Sequence, residues 1–100
     1  MSNQIAQTIM QQIGGNRFAV MTGAKQFVAL GNGLQFKLPS NFAKKGINCI
    51  KITLTPADLY DVEFFKIRGM NVTEVEKSEG LYADMLQSEF RRVTGLDTHL

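Results

Sequence analysis

Ile5, Ile9 and Ile13 recur every four residues, with Ala6 and Met10 beside them. That spacing lays one apolar stripe along a helix. Ser2 or Asn3 is placed to cap its start. Gly14 and Gly15 are placed to stop it, because glycine readily takes the left-handed conformation of a helix C-terminus. The opposite side carries Gln4, Gln7, Gln11 and Gln12, polar but uncharged. It reads as a solvated face, with a contact to a second copy as the alternative.

Strand patterning comes next. "RFAVMT" is rich in β-branched and aromatic types and predicts a strand. "GAK" breaks it and "QFVAL" resumes. "GNG" supplies the positive φ of a tight hairpin. In "LQFKLP", Leu34, Phe36 and Leu38 alternate with Gln35 and Lys37, the signature of a half-buried strand that Pro39 ends. "SNFAKKG" is a connecting loop or short helical turn. In "INCIKITL", Ile50, Ile52 and Leu54 oppose Lys51 and Thr53. "TPAD" is a turn with Pro56 at an early corner position. In "LYDVEFFKIR", Tyr60, Val62 and Phe64 share a face, with Asp61 and Glu63 opposite. Phe65 and Ile67 then fall on the other parity, which predicts a bulge near Phe64–Phe65 or a strand covered on both faces. "GMN" is a further turn, and "VTEVEK" predicts a short edge strand whose charges discourage pairing.

The last predicted element is a helix over 78–94. Tyr82, Leu86, Phe90 and Val93 form its buried stripe, widened by Leu81 and Met85. Ser78 is the candidate cap and Glu79 suits the first turn; Arg91 and Arg92 suit the last, and Gly95 stops it. The order is helix, five or six antiparallel strands, helix. A sheet with one apolar face must cover it, and these two helices are the available cover. The expected fold class is α+β, one domain over 1–100, with both helices on one face of an antiparallel sheet.

Composition changes this picture little. The chain has 100 residues, 44% hydrophobic and 20% charged, ordinary for one globular domain. No apolar run approaches the roughly 20 residues that span a bilayer, so no membrane association is expected. The N-terminal segment lacks the basic and apolar regions of a secretory signal. A single cysteine, Cys49, precludes an internal disulfide and agrees with a reducing compartment.

Candidate chemistry narrows quickly. "TGAK" has the look of a phosphate loop, but Ala24 separates Gly23 from Lys25 and a strand pattern follows, not a helix. A turn between two strands is the expectation, with Lys25 facing solvent. The lone histidine, His99, is second from the end, where nothing holds its ring for catalysis. Cys49 has no other histidine partner and reads as a packing thiol. Asp58, Asp61 and Glu63 form a small acidic group, but their spacing matches no calcium loop, and a sheet face with ion pairs to Lys51 is the better reading. No catalytic residue, metal site or cofactor is therefore expected, and the protein reads as non-enzymatic.

The basic residues offer more. The net charge is only +2, so a nucleic-acid partner requires clustering. Lys37 and Lys51 oppose the apolar sets of their strands. If Lys66 and Arg68 do the same, the open sheet face carries a basic stripe with Phe65 near it, suited to a nucleic-acid backbone and to base stacking; a plain solvated face, its field cut by Asp61 and Glu63, is the alternative. Lys25, Lys44 and Lys45 extend the candidate set.

The segments "QQIGGNRFAVMTGAKQFV", "LQFKLP", "INCIKITLTPADLYDVEFFKIRG" and "GLYADMLQSEFRRVTGL" resemble a group of small proteins of unknown function encoded by bacteriophages, prophages and related mobile elements. The likeness runs over nearly the whole chain. It implies a viral or mobile-element origin and a bacterial host cytoplasm; it implies no activity and no site residues. Two functions stand as expectations. One is a nucleic-acid-binding accessory protein contacting DNA or RNA through the basic face. The other is a host-directed inhibitor or adaptor, such as an antagonist of a defence system. A homodimer through edge strands or the glutamine-rich face is compatible with both.

Overall fold

A computed structural model describes residues 4–39 and 46–95, leaving aside the side chains of Asn16, Arg17 and Met21. The expected cap at Ser2 or Asn3, the loop lysines Lys44 and Lys45, and His99 lie outside the described residues. Helix α1 (Gln4–Ile13) forms where the isoleucine spacing places it, burying Ala6, Ile9 and Ile13 while Gln4, Gln7, Gln11 and Gln12 face outward. Gly14, at φ 122°, ends it as expected.

The next element is a second helix, α2 (Gly15–Thr22), in place of the expected strand. The burial pattern gives the reason. A strand would put Phe18, Val20 and Thr22 on one face; here Phe18 and Thr22 are fully buried and Val20 is 80% exposed, the i,i+4 phase of a helix. The Thr22 hydroxyl donates to the Phe18 carbonyl at 2.8 Å, one helical turn back. Gly23, at φ 73°, caps the helix, its N–H bonded to the Ala19 carbonyl at 2.9 Å. "TGAK" is thus a turn, but from helix to strand rather than between two strands.

Five strands complete the sheet: β1 (Lys25–Leu30), β2 (Gly33–Lys37), β3 (Cys49–Leu54), β4 (Tyr60–Arg68) and β5 (Asn71–Leu81). They form an antiparallel meander in the order β1-β2-β3-β4-β5. Leu34, Ile52 and Val62 line up across three strands, as do Phe36, Ile50 and Phe64, and all six are buried. The helices cover this face. Phe36 lies at the centre, its ring 5.3 Å from Phe18 of α2, 6.4 Å from Phe90 and 5.3 Å from Phe27 of β1. Each buried phenylalanine contributes about 1.5–3 kcal/mol of transfer free energy. The α+β class and the five-stranded sheet agree with the sequence reading.

Of two predicted turns, one forms for a reason other than that expected. The β1–β2 hairpin joins Leu30 to Gly33 through Gly31–Asn32, yet none of Gly31, Asn32 and Gly33 has a positive φ. Gly33 is required by crowding instead: a Cβ there would lie 2.0 Å from the Ile52 carbonyl oxygen. At 55–58 the prediction holds, since Asp58 N–H bonds the Thr55 carbonyl at 3.0 Å with Pro56 between them.

The C-terminal region departs most. β5 is the longest strand, 11 residues, rather than a short edge. The final helix α3 (Leu86–Thr94) starts later than expected, after a short 3-10 turn over Ala83–Met85. Ser78 pairs with Val62 in the ladder, and Gly80 sits at φ 69°, a conformation that interrupts a helix. Leu86, Phe90 and Val93 are buried as predicted; Tyr82 is 64% exposed and Met85 is also exposed. Gly95 caps α3 at φ 76°.

The predicted irregularity near Phe64–Phe65 exists, but on the neighbouring strand. β3 and β4 pair without interruption from Cys49–Phe65 to Leu54–Tyr60. The extra residue is in β5, where Phe64 faces Glu76 and Phe65 faces Glu74, leaving Val75 over. A second irregularity sets Asp61 against Glu79 and Gly80, and the Asp61 carboxylate accepts the Gly80 N–H at 3.2 Å.

Candidate nucleic-acid interface

In an antiparallel meander, alternate strand termini meet at the same end of the sheet. The starts of β1, β3 and β5 lie with the ends of β2 and β4. One transverse row there runs Lys25, Lys37, Cys49, Phe65, Glu74. Lys66 and Arg68 sit just beyond it at the end of β4. Lys25 and Lys37 stand directly opposite each other, an arrangement of like charges that disfavours pairing. Both are exposed.

The faces divide the expected stripe. Lys37 and Lys51 alternate with inward Phe36, Ile50 and Ile52, so they lie on the open face. The unbroken β3–β4 register puts Lys66 and Arg68 in phase with Phe64, on the other side of the sheet plane. Lys66 lays its methylenes within 3.2–3.3 Å of where a Gly46 side chain would be. Lys25, Lys37, Lys66 and Arg68 therefore share an end of the sheet, not a face. Lys51 stands apart: its row reads Gln35, Lys51, Glu63, Lys77 and alternates in sign. Lys44 and Lys45 belong to the segment between β2 and β3, outside the described residues.

Two cations elsewhere are held in ion pairs. Lys77 meets Glu79 at 3.3 Å, and Arg92 meets Glu76 and Glu89 at 2.5 Å each. Ser78 donates to the Glu89 carboxylate, so Glu89 and Arg92 tie α3 to Ser78 and Glu76 of β5. The Arg92 guanidinium and the Ser78 hydroxyl hold the Glu89 carboxyl below its ordinary range against the opposing effect of burial, the Arg92 hydrogen bond being the largest influence. Among the described residues, Lys25, Lys37, Lys66 and Arg68 form no ion pair. The acidic residues Asp58, Asp61, Glu63 and Glu79 lie toward the opposite end. Among the described residues no three metal-ligating side chains converge.

Two clefts open at the basic end. One, about 270 Å³, is bordered by Lys25, Lys37, Asn48 and Ile67. The other, about 430 Å³, is bordered by Lys66, Arg68, Asn71 and Val72. Cys49 is buried beside Lys37; burial raises its thiol pKa, partly offset by Lys37 and a backbone hydrogen bond at Ile50. Such a thiol is a poor nucleophile at neutral pH.

Sequence reasoning missed two parts of this end. Asn48 uses its side-chain amide as a ladder rung, accepting the Ile67 N–H and donating to the Ile67 carbonyl, both at 2.8 Å. Met70, at the tip of the β4–β5 hairpin, is fully exposed. The "GMN" segment signalled a turn, but no local pattern signals which turn residue projects.

The fold and this end define a small α+β domain, an antiparallel meander covered by helices on one face and basic at one end. Comparison with known proteins adds no relative: no family model matches the chain, and neither a curated protein nor a solved structure matches it. No helix among the described residues is long and apolar enough to cross a membrane.

Proposed function

We propose that the protein is a non-enzymatic nucleic-acid-binding accessory protein whose contact surface is the basic end of the sheet. One observation carries this reading: Lys25, Lys37, Lys66 and Arg68 gather at one end of the strands with no internal ion pair among the described residues. Cations set side by side against their own repulsion suit a polyanion, because phosphate neutralisation releases condensed counterions. The net charge is only +2, so the reading rests on this local grouping rather than on the overall charge. The likeness to bacteriophage and mobile-element proteins suits a role in the DNA metabolism of such an element, inside a bacterial host.

The test is a binding titration against short single-stranded and duplex oligonucleotides, from about 50 to about 200 mM salt. Affinity is expected to fall steeply across that range. The double substitution of Lys25 and Lys37 by Glu is expected to weaken binding by about tenfold or more and to flatten the salt slope. Substituting Lys51 by Glu, on the row where Lys51 lies beside Glu63, is expected to do much less. A flat titration with both oligonucleotides rejects the reading and favours the host-directed adaptor.

A further inference from the structure

The β4–β5 hairpin runs on past the last residue pair that joins β4 to β3. The last β3–β4 pair is Cys49–Phe65. Beyond it, Lys66–Thr73, Ile67–Val72 and Arg68–Asn71 continue the β4–β5 ladder, closed by Gly69–Met70 with Gly69 at φ 57°. This is a two-stranded arm. Its root is braced where Asn48 bonds both backbone groups of Ile67, so the arm leaves the sheet in a set direction. Glu74 lies at the root, opposite Phe65.

The chemistry of the arm is specific. Met70 at its tip is 100% exposed and Val72 behind it 63% exposed. Lys66 and Arg68, both on β4, lead up to the tip and form no ion pair among the described residues. An unbranched apolar side chain at the apex of a braced ribbon, with cations at its base, has the form of a wedge with phosphate anchors. Proteins that enter the minor groove insert such side chains, methionine among them, between base pairs and kink the duplex. The groove is about 6 Å wide, enough for a thioether tip but not for the whole ribbon. A membrane surface suits the arm less well, since polar Asn71 and Thr73 surround the apolar tip.

We infer that the β4–β5 arm binds duplex DNA from the minor groove, with Met70 inserted between base pairs and Lys66 and Arg68 on the flanking phosphates. This rests on the nucleic-acid reading above and adds the form of nucleic acid and the residue that deforms it.

The test uses the full chain and a duplex carrying 2-aminopurine, whose fluorescence rises when it is unstacked. The wild-type protein is expected to raise the fluorescence on binding. Met70→Ala, a change at a fully exposed position that leaves the core untouched, is expected to abolish the rise and weaken duplex binding by about tenfold. Met70→Leu is expected to retain both, and single-stranded binding is expected to be unchanged by either. Equal duplex affinity and equal fluorescence for wild type and Met70→Ala overturn the wedge while leaving the basic-end reading intact. Failure of the wild-type protein to bind any oligonucleotide at low salt removes both. Met70-dependent binding to anionic lipid vesicles, without a duplex response, overturns the inference in favour of a membrane contact.

Discussion

Asn48 and Ile67 are joined by two hydrogen bonds of 2.8 Å, side chain to backbone in both directions. The asparagine amide imitates a strand's own peptide group and carries the β3–β4 ladder one rung past its last backbone pair. Few other side chains offer a donor and an acceptor in one plane at this reach. The pair decides how firmly the hairpin arm is rooted.

Asn48→Ala is accordingly expected to cost about 1 kcal/mol in global stability. Its local effect is larger: amide hydrogen exchange at Ile67 should accelerate while exchange at Ile50 and Phe64 follows only the global change. Exchange rates read residue by residue by NMR check this.

Gly33 and Gly31 make a matched pair. A Cβ at 33 meets the Ile52 carbonyl oxygen at 2.0 Å, whereas at 31 it meets nothing within 4 Å. Gly33→Ala must push β2 from β3 and is expected to cost roughly 2–3 kcal/mol or to prevent folding. Gly31→Ala is expected to be neutral or to add about 0.5 kcal/mol by restricting the unfolded chain. Denaturant midpoints of the two variants give the comparison.

The helical phase of α2 has a mutational signature. Phe18 touches both Phe36 and Phe90, with ring centres 5.3 and 4.9 Å away. Phe18→Ala is expected to cost about 3–5 kcal/mol. Val20→Ala is expected to stay within about 0.5 kcal/mol, since Val20 is exposed. On a strand the two positions would share a face and respond alike, so chemical denaturation of both variants distinguishes the two conformations.

Glu89 links stability to pH. Its carboxyl is held below the ordinary value of 4.5 chiefly by the Arg92 hydrogen bond, with Ser78 assisting. The folded state therefore favours the ionised form, and this stabilisation is complete above 4.5 and declines as pH falls below it. The melting temperature of the wild type is expected to drop through that acid limb. Glu89→Gln is expected to start lower at neutral pH and to show a shallower acid decline. Thermal melts from neutral pH down to about 3 measure both.

Local periodicity made much of this domain legible. The four-residue spacing of Ile5, Ile9 and Ile13 and the alternation in 34–38, 49–54 and 60–64 each report which side of an element is buried, and burial of one side is a local property of the chain. "RFAVMT" failed because so short a segment carries too little period to separate a β-branched strand from a turn or two of helix. Ser78 to Leu81 failed because their partners, Val62 and Tyr60, are distant in sequence. The basic residues show the same boundary. That Lys37 opposes Phe36 is written in the alternation. That Lys25 faces Lys37, that Lys66 and Arg68 join them at one end, and that the slip near Phe64 belongs to β5 all depend on strand register. Register is set by bulges, close backbone approaches such as Gly33 to Ile52, and side-chain rungs such as Asn48 to Ile67. These contacts exist only once remote segments are side by side, so the faces of this protein belong to its sequence and the basic end belongs to its fold.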